Sequence, residues 1–297
     1  MKQSLYAAAR ALCRHLPVTG AILAENDALH LALKASAGLQ CALRADAGRH
    51  RQTAAALPPD LDIIVPVCNA ARWLDVIADA YDALHITPLY IVDERSTDAS
   101  LALLRRRGAR IVQTRSAEPR VESLLLPVLP SLGAAWVLRC DDDELPSAGL
   151  LDWVRANLGR QREPVIGLPR HWVAETATGL QRSRAIPGQG YFGADYQYRL
   201  FRPADVQPVP HLHSPGFLLE AHAHAPREAA LYHFDWLLRD RATRAAKVAA
   251  YTAQHAVSGA KMAPYYLPED QPDGYFDMET LTDPALTELC ARLLATR

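Results

Sequence analysis

Between residues 61 and 168 the hydrophobic positions fall into short, near-continuous runs separated by stretches with helical spacing. Leu61-Asp-Ile-Ile-Val-Pro-Val-Cys68 is the first run; Leu89-Tyr-Ile-Val92, Ile111-Val112 and the stretch ending in Trp136-Val-Leu-Arg-Cys140 follow. Between the first two runs, Trp73, Leu74, Val76, Ile77, Ala80, Tyr81 and Leu84 recur every three or four positions, and Leu101, Leu103 and Leu104 repeat the pattern after the second. An apolar run without alternation is what a strand buried on both faces requires, and the longer spacing is that of a helix lying across it. Asn69 is placed to cap the first helix, Ser96, Thr97 and Asp98 to cap the second, and Gly108 to close it. Leu124 to Leu132 reads as a helix interrupted by Pro127 and Pro130. Ser147 then caps a helix carrying Leu150, Leu151, Trp153, Val154 and Leu158, which Gly159 ends.

Strand and helix in alternation predict an α/β fold, with a mostly parallel central sheet and helices on both faces. Val165–Leu168 and Tyr196–Phe201 add strands, Asp235–Ala256 a helix, and Pro284–Leu294 a short C-terminal helix. Three parts of the chain stand outside this core. Residues 1–57 form a small N-terminal appendage, where Leu29, Leu31 and Leu33 and then Leu39, Cys41 and Leu43 alternate about Ser36-Ala37-Gly38. That is a hairpin signal, although the richness in alanine also permits helix. Residues 174–194 are polar and rich in small side chains, either a loop over a pocket or a plain surface excursion. Residues 263–284 read as a surface tail. The expected division is an appendage at 1–57, the main domain at 58–262, and a tail with its helix at 263–297.

Composition narrows the class. The chain has 297 residues, 49% hydrophobic and 22% charged, with a net charge of −1. A soluble globular protein fits those proportions, and there is no basic excess to attract nucleic acid. No apolar run reaches the length of a membrane span, the N-terminus does not read as a signal peptide, and contact with a membrane surface stays open. Cys13, Cys41, Cys68, Cys140 and Cys290 are scattered without paired spacing, which fits free thiols in the cytoplasm.

The chemistry sits at the ends of the runs. Asp141-Asp-Asp-Glu144 are four consecutive carboxylates directly after an apolar strand. Their mutual repulsion is offset either by a divalent cation, Mg²⁺ or Mn²⁺, or by solvation of an acidic turn that caps the next helix. In a parallel sheet, ligands sit beyond the carboxyl ends of the strands. That rule places Pro66 to Asn69, Asp93 to Arg95, Arg115 and Asp141 to Glu144 along one rim. Downstream, His211, His213, His222, His224 and His233 are either metal or phosphate ligands or ordinary surface and core histidines. Arg239, Arg241, Arg244 and Lys247 follow on the predicted helix, where a solvated basic face is the default.

Ile63-Ile-Val-Pro-Val-Cys-Asn69, Ile91-Val-Asp-Glu-Arg-Ser-Thr-Asp98 and Trp136-Val-Leu-Arg-Cys-Asp-Asp-Asp-Glu144, in that order, resemble the "VPVYN", "VDDGSTD" and "DADE"-type DxD segments of family 2 glycosyltransferases. The resemblance covers roughly residues 61–255 and implies a GT-A-like, Rossmann-like fold. It implies that Asp93 and Glu94 contact the base and ribose of a nucleotide-sugar. Asp141 then reaches the ribose or a metal, Asp142 fills the variable middle position, and Asp143 holds Mn²⁺ or Mg²⁺. Two departures stand in the second segment: Glu94 replaces an Asp and Arg95 a Gly. Arg199-Leu-Phe-Arg202, His211-Leu-His213, Leu231-Tyr-His233, Lys247 and Tyr251 resemble the lipopolysaccharide-core glucosyltransferase branch. On that likeness His233 is a metal or diphosphate ligand and Lys247 a phosphate contact.

That branch carries its general base directly after the residue matched by His213. Here the position is Ser214, so Glu220, Asp195 and His213 are the candidates for the base. Glu220 follows the apolar Phe217-Leu-Leu219, where burial would raise its pKa. The expected activity is therefore a metal-dependent, inverting glycosyltransferase that uses a nucleotide-sugar donor, with a UDP-sugar favoured. The expected acceptor is a glycan or another small molecule, and the setting cell-surface glycan synthesis. The alternative is a catalytically degenerate GT-A-like protein that binds nucleotide or sugar without transfer. A third reading is a metal hydrolase built on the histidines.

Overall fold

The computed structural model describes residues 44–46, 57–58, 60–115, 124–125, 127–185, 195–207, 217, 219, 221–254, 262–273 and 275–297. The hairpin signal at Leu29 to Leu43 lies outside them. In chain order the elements are β1 (Arg44–Asp46), β2 (Leu61–Val67), α1 (Ala71–Ala83), β3 (Leu89–Asp93), α2 (Ser100–Arg106), β4 (Arg110–Thr114) and β5 (Trp136–Arg139). Next come β6 (Glu144–Pro146), α3 (Ala148–Asn157), β7 (Val165–Thr176), β8 (Gly179–Ala185), β9 (Asp195–Phe201), β10 (Ala223–His224) and β11 (Leu231–His233). The chain ends with α4 (Asp235–Leu238), α5 (Arg241–Gln254), β12 (Asp277–Thr280) and α6 (Pro284–Leu294).

The protein is α/β, and its central sheet runs β1-β4-β3-β2-β5-β9-β7-β11-β6. The core of that sheet, β4-β3-β2-β5, is parallel throughout. Side chains alternate across β2: Ile63, Val65 and Val67 pack under α1, α2, α3 and α6, while Ile64 faces the other way with Ile91 and Val137. On that second face Leu124, Leu125, Val128 and Leu129 form the cover. The expected helix there is broken around its two prolines, leaving helical backbone at 124–125 and a 3₁₀ turn at Leu129–Ser131. A proline removes an N–H and crowds the preceding turn, so the segment covers the sheet without continuing as an α-helix.

β7 is longer than the apolar run predicted. Its first half pairs with β9 in the central sheet, and its second half turns away as a hairpin with β8. The stretch read as a loop over 174–194 therefore begins as strand as far as Ala185. Gly179 takes φ +108°, and Thr176 Oγ1 donates to the Gly179 carbonyl across the turn. The polar residues that suggested a loop are those of a hairpin with a solvated face. Likewise, residues 263–284 are not a free tail. Their Tyr266 is buried, and β12 pairs with β8. The helix expected over Asp235–Ala256 is two helices, broken at Arg239-Asp240, where Asp240 Oδ1 accepts from Thr243 N at 2.8 Å and so starts α5 anew.

Ser147 caps α3 as its sequence suggested, accepting from Leu150 N at 3.1 Å. The same oxygen accepts from Ala230 N and donates to the Glu228 carbonyl, which ties α3 to the approach to β11. Gly149 is pressed into that joint: a Cβ there would lie 2.4 Å from the Glu228 carbonyl oxygen. Backbone cannot step aside as a side chain does, so Gly149→Ala is expected to destabilise the protein by about 1–3 kcal/mol. An unshifted urea midpoint for that variant would contradict the contact. Among the described residues, no helix is long and apolar enough to cross a membrane.

Candidate functional site

β2, β3 and β5 run parallel, so their carboxyl ends open on one edge of the sheet. The backbone there is built from short polar side chains. Asn69 leaves β2 with φ 54°, a left-handed conformation that Asn tolerates better than most residues. Its Oδ1 accepts from the N–H of Thr97 at 2.8 Å and of Asp98 at 3.3 Å. Asp98 answers by accepting from Ala71 N at 2.8 Å. Asn69 was expected to cap α1, but the N–H groups there are taken across the loop, by Asp98 and by Ser100 Oγ. The two rim loops are thus locked to each other.

At the end of β3, Asp93 is buried and faces Arg95. Arg95 Nε donates to both carboxylate oxygens at 3.0 and 3.1 Å, and Nη2 adds a third contact at 2.7 Å. The residue standing where the resembled segment has glycine therefore supplies a counter-charge to the acid beside it. Glu94 and Arg115 are exposed at the ends of β3 and β4, and Pro66 is buried within β2.

The four-acid segment is a turn, closed by Glu144 N donating to the Asp141 carbonyl and by Asp141 N donating to Glu144 Oε2, each at 3.0 Å. It is not a solvated one: Asp143 is 4% and Glu144 0% exposed. Its carboxylates divide into two groups. Asp141 takes Arg139 Nη2 at 2.9 Å and Arg199 Nη2 at 2.6 Å. Arg199 reaches it from a bulge, where the β7–β9 register shifts and leaves Arg199 without a partner position in the ladder. A bulge of this kind re-aims a side chain. Glu144 and Asp195 share Arg170, which lies 3.3 Å from the first and 2.7 Å from the second.

The second group gathers around Asp143. His233 Nε2 lies 3.4 Å from Asp143 Oδ1, and Arg239 Nη1 donates to Oδ2 at 2.6 Å. The same Arg239 nitrogen donates to Asp235 Oδ1 at 2.6 Å, and Lys247 Nζ reaches that oxygen at 2.9 Å. β11 pairs with both β6 and β7, which sets His233 against Glu144 on one side and Trp172 on the other. The Trp172 ring meets His233 edge-on at 4.2 Å and stacks on Trp236 at 5.0 Å. Trp73 closes the opposite side, its Nε1 donating to the Asp142 carbonyl at 3.1 Å with the Arg239 guanidinium 4.6 Å above its ring.

These pairings set the charges. Burial works against the charge on Asp141, but Arg139 and Arg199 outweigh it and hold the carboxyl well below the usual carboxylate range. Asp143 is held down in the same way by His233 and Arg239. Asp142, half-buried, is pushed up to about 8 by desolvation and then by Asp143, against the opposing pull of Arg239. For Lys247, burial opposes the ammonium and the neighbouring Tyr266 and Asp235 overcome it, so its pKa is raised.

Asp143, His233 and Asp235 place their ligand atoms within 4.8 Å of one another. Two carboxylates and an imidazole suit a divalent cation. Asp235 Oδ2 and His233 Nδ1 are, besides, buried without a hydrogen-bond partner among the described residues. The residues fit the ion that the sequence suggested, with one exchange. Asp141 is not in the group, because two arginines claim its carboxylate, and Asp235 takes its place. The signal for Asp235 was its spacing, two residues beyond His233 at a strand-to-helix junction; its importance as a carboxylate was missed. Arg170, Trp172 and Arg239 were missed as partners of the acids as well.

Glu220, His211 and His213 lie outside the described residues. Asp195 is described, and its carboxylate is already engaged: besides Arg170 it accepts from Trp172 Nε1 at 3.0 Å and Gln197 Nε2 at 2.7 Å. His224 packs with Tyr196 and His222 with Tyr198. Arg244, read from the sequence as part of a solvated basic face, is instead buried and bonded to the Tyr266 carbonyl and to Glu269.

No family model matches the chain, and no curated protein does. Solved structures do. A fragment of S. aureus TarS, residues 1–349, is similar over 60% of this chain and 61% of its own, at 14% identity and a TM-score of 0.42. Glucosyl-3-phosphoglycerate synthase from Mycobacterium tuberculosis, in complex with Mn²⁺, UDP and phosphoglyceric acid, is similar over 81% of this chain and 95% of its own. Its identity is 13% and its TM-score 0.44. The chain spans about six tenths of the TarS fragment.

Proposed function

We propose that this protein transfers a sugar from a nucleotide-sugar donor, a UDP-sugar by preference, to a glycan or another small acceptor, with inversion at the anomeric carbon. The observation that carries the reading is convergence. Asp93 ends β3, Asp141 and Asp143 follow β5 and His233 ends β11, all toward one edge of the sheet, with Asp143, His233 and Asp235 within 4.8 Å of one another. That edge is where open α/β sheets bind ligands, and it carries the three segments that resemble family 2 glycosyltransferases.

In this reading Asp93 and Glu94 receive the base and ribose, and Pro66, Asn69, Arg115, Asp141 and Asp142 shape the rest of the donor cleft. A Mn²⁺ or Mg²⁺ held by Asp143, His233 and Asp235 would supply positive charge to the leaving diphosphate. Lys247, 2.9 Å from Asp235, adds a fixed cation beside them. Trp73, Trp172 and Trp236 wall the cluster and limit water around it, which strengthens each charge interaction inside. The proton of the acceptor hydroxyl goes to Glu220 or His213, since Asp195 already accepts from three side chains. The free thiols Cys68, Cys140 and Cys290 suit a reducing, cytoplasmic setting.

A second reading, binding without transfer, has one observation in its favour: the Asp93 carboxylate is already paired with Arg95. Donor hydrolysis or transfer that is lost in Glu220→Gln separates the two. The first test is a thermal-shift series with UDP, GDP, CDP and their sugars, with and without Mn²⁺. Ligand that binds the folded state raises its midpoint by mass action. A rise for one nucleotide that depends on Mn²⁺ is expected. No rise with any of them defeats both readings.

A further inference from the structure

We infer that Arg239 occupies the cation seat between Asp143 Oδ2 and Asp235 Oδ1, and that a divalent ion takes that seat only by displacing it. A single atom carries the inference. Arg239 Nη1 lies 2.6 Å from Asp143 Oδ2 and 2.6 Å from Asp235 Oδ1, the bridging position that a metal shared by the two carboxylates takes. Lys247 Nζ shares Asp235 Oδ1 at 2.9 Å and lies 4.5 Å from the centre of the Tyr266 ring, so it holds one end of the seat and the bridging cation is Arg239. The charge of the cluster is already closed: two carboxylates, Asp143 and Asp235, face two cations, Arg239 and Lys247. A divalent ion added to that set leaves two surplus positive charges among side chains that are mostly out of water, where repulsion is poorly screened. Departure of the guanidinium removes one of them, releases Asp143 Oδ2 from it and leaves Asp235 Oδ1 to Lys247.

The fold gives Arg239 room to leave. It stands in extended backbone at the break between α4 and α5, at φ −120° and ψ 132°, not inside a helix. Its side chain is 15% exposed, whereas Asp143 and Asp235 are 6% and 0%. The rest of its guanidinium lies over the Trp73 ring, a contact that yields without breaking a directional bond.

The inference stands on the pairing geometry and does not need sugar transfer, so the probe is Mn²⁺ alone. Its dissociation constant is measured by titration calorimetry and by the electron paramagnetic resonance signal of free Mn²⁺. Arg239→Met keeps the stem over Trp73 and removes the charge. It is expected to bind Mn²⁺ about tenfold or more tightly than the wild type, the scale of one charge-assisted hydrogen bond. Arg239→Lys keeps the charge and is expected to stay near wild type. Adding Asp143→Asn to Arg239→Met is expected to abolish the gain, which fixes the site. A folded Arg239→Met protein that binds Mn²⁺ no better than wild type, or worse, overturns the inference, because a bridge with a purely structural role gives that result.

Should Arg239→Met not fold, wild-type crystals at saturating Mn²⁺ decide the matter. An ion between Asp143 and Asp235 with Arg239 swung away upholds the inference. An ion seated with Arg239 still bridging, or no ion beside Asp143, overturns it. Failure of the Arg239 variants leaves the thermal-shift test of the proposed function intact, whereas a crystal with no ion beside Asp143 also counts against the metal assignment made there.

Discussion

Asp195→Ala should lower the stability of the fold by about 3–5 kcal/mol, the usual cost of leaving a buried charge without its partner. Asp195 is 5% exposed and accepts from Arg170 Nε at 2.8 Å, from Trp172 Nε1 at 3.0 Å and from Gln197 Nε2 at 2.7 Å. Without it, Arg170 keeps the contact to Glu144 at 3.3 Å and its place over the Trp172 ring, and the indole N–H of Trp172, a fully buried residue, loses its acceptor. The loss is read from the urea midpoint and slope of the variant. The outcome also settles a question of role. A general base at this position predicts lost turnover with stability nearly unchanged, and that result would sink the structural account of Asp195. Asp195→Asn, which keeps an acceptor oxygen for Trp172 but removes the charge, should fall between the two.

Asp143→Ala is expected to abolish the Mn²⁺-dependent rise in melting temperature with the preferred nucleotide. Asp143 is the hinge of the cluster: one oxygen faces His233, the other takes Arg239, and its carbonyl accepts from Phe234 N at 2.9 Å. Removing the carboxylate leaves His233 and Asp235 as the remaining members of the three-residue ligand set. A ligand at 100 times its dissociation constant stabilises by about 2.7 kcal/mol, so complete loss of the shift is easy to read. Each protein is compared with its own ligand-free midpoint, because the substitution also unpairs Arg239 and lowers stability by itself. A full ligand-dependent shift in the variant would falsify the assignment of Asp143 to the ion.

Much of the fold was legible from period alone. β2, β3 and β5 are short runs of apolar residues that read as buried strand, and α1 declares its face through Trp73, Leu74, Ile77 and Tyr81. Ser147 and Gly108 ended up where capping and left-handed geometry place them, with Gly108 at φ 65°. The misreadings share one physical cause. β8 and β12 are strands whose side chains are largely polar or exposed, so no apolar alternation marks them. Residues 263–284 looked like a tail because they are rich in proline and acids, yet Tyr266 is buried against the Trp172 cluster and its carbonyl accepts from Arg244. A single buried aromatic has no period and leaves no pattern to read.

The sequence by itself determined where charge would collect. Strand ends in a parallel sheet share an edge, so Asp93, Asp141 and Asp143 had to approach one another whatever the loops did. It determined the strand order of the parallel core only through the connections it allowed. What the tertiary structure alone decided is which charge meets which. Arg95 turns back on Asp93, Arg199 reaches Asp141 from a bulge in a strand far along the chain, and Arg239 bridges Asp143 to Asp235 across a break between helices. The pairs of Arg199 with Asp141 and of Arg239 with Asp143 carry no sequence period, because they join segments that the chain separates by tens of residues. The pairs of Arg95 with Asp93 and of Arg239 with Asp235 are local ones that only the folded backbone turns toward each other. That is why the carboxylates were visible in the sequence and the arginines that hold them were not.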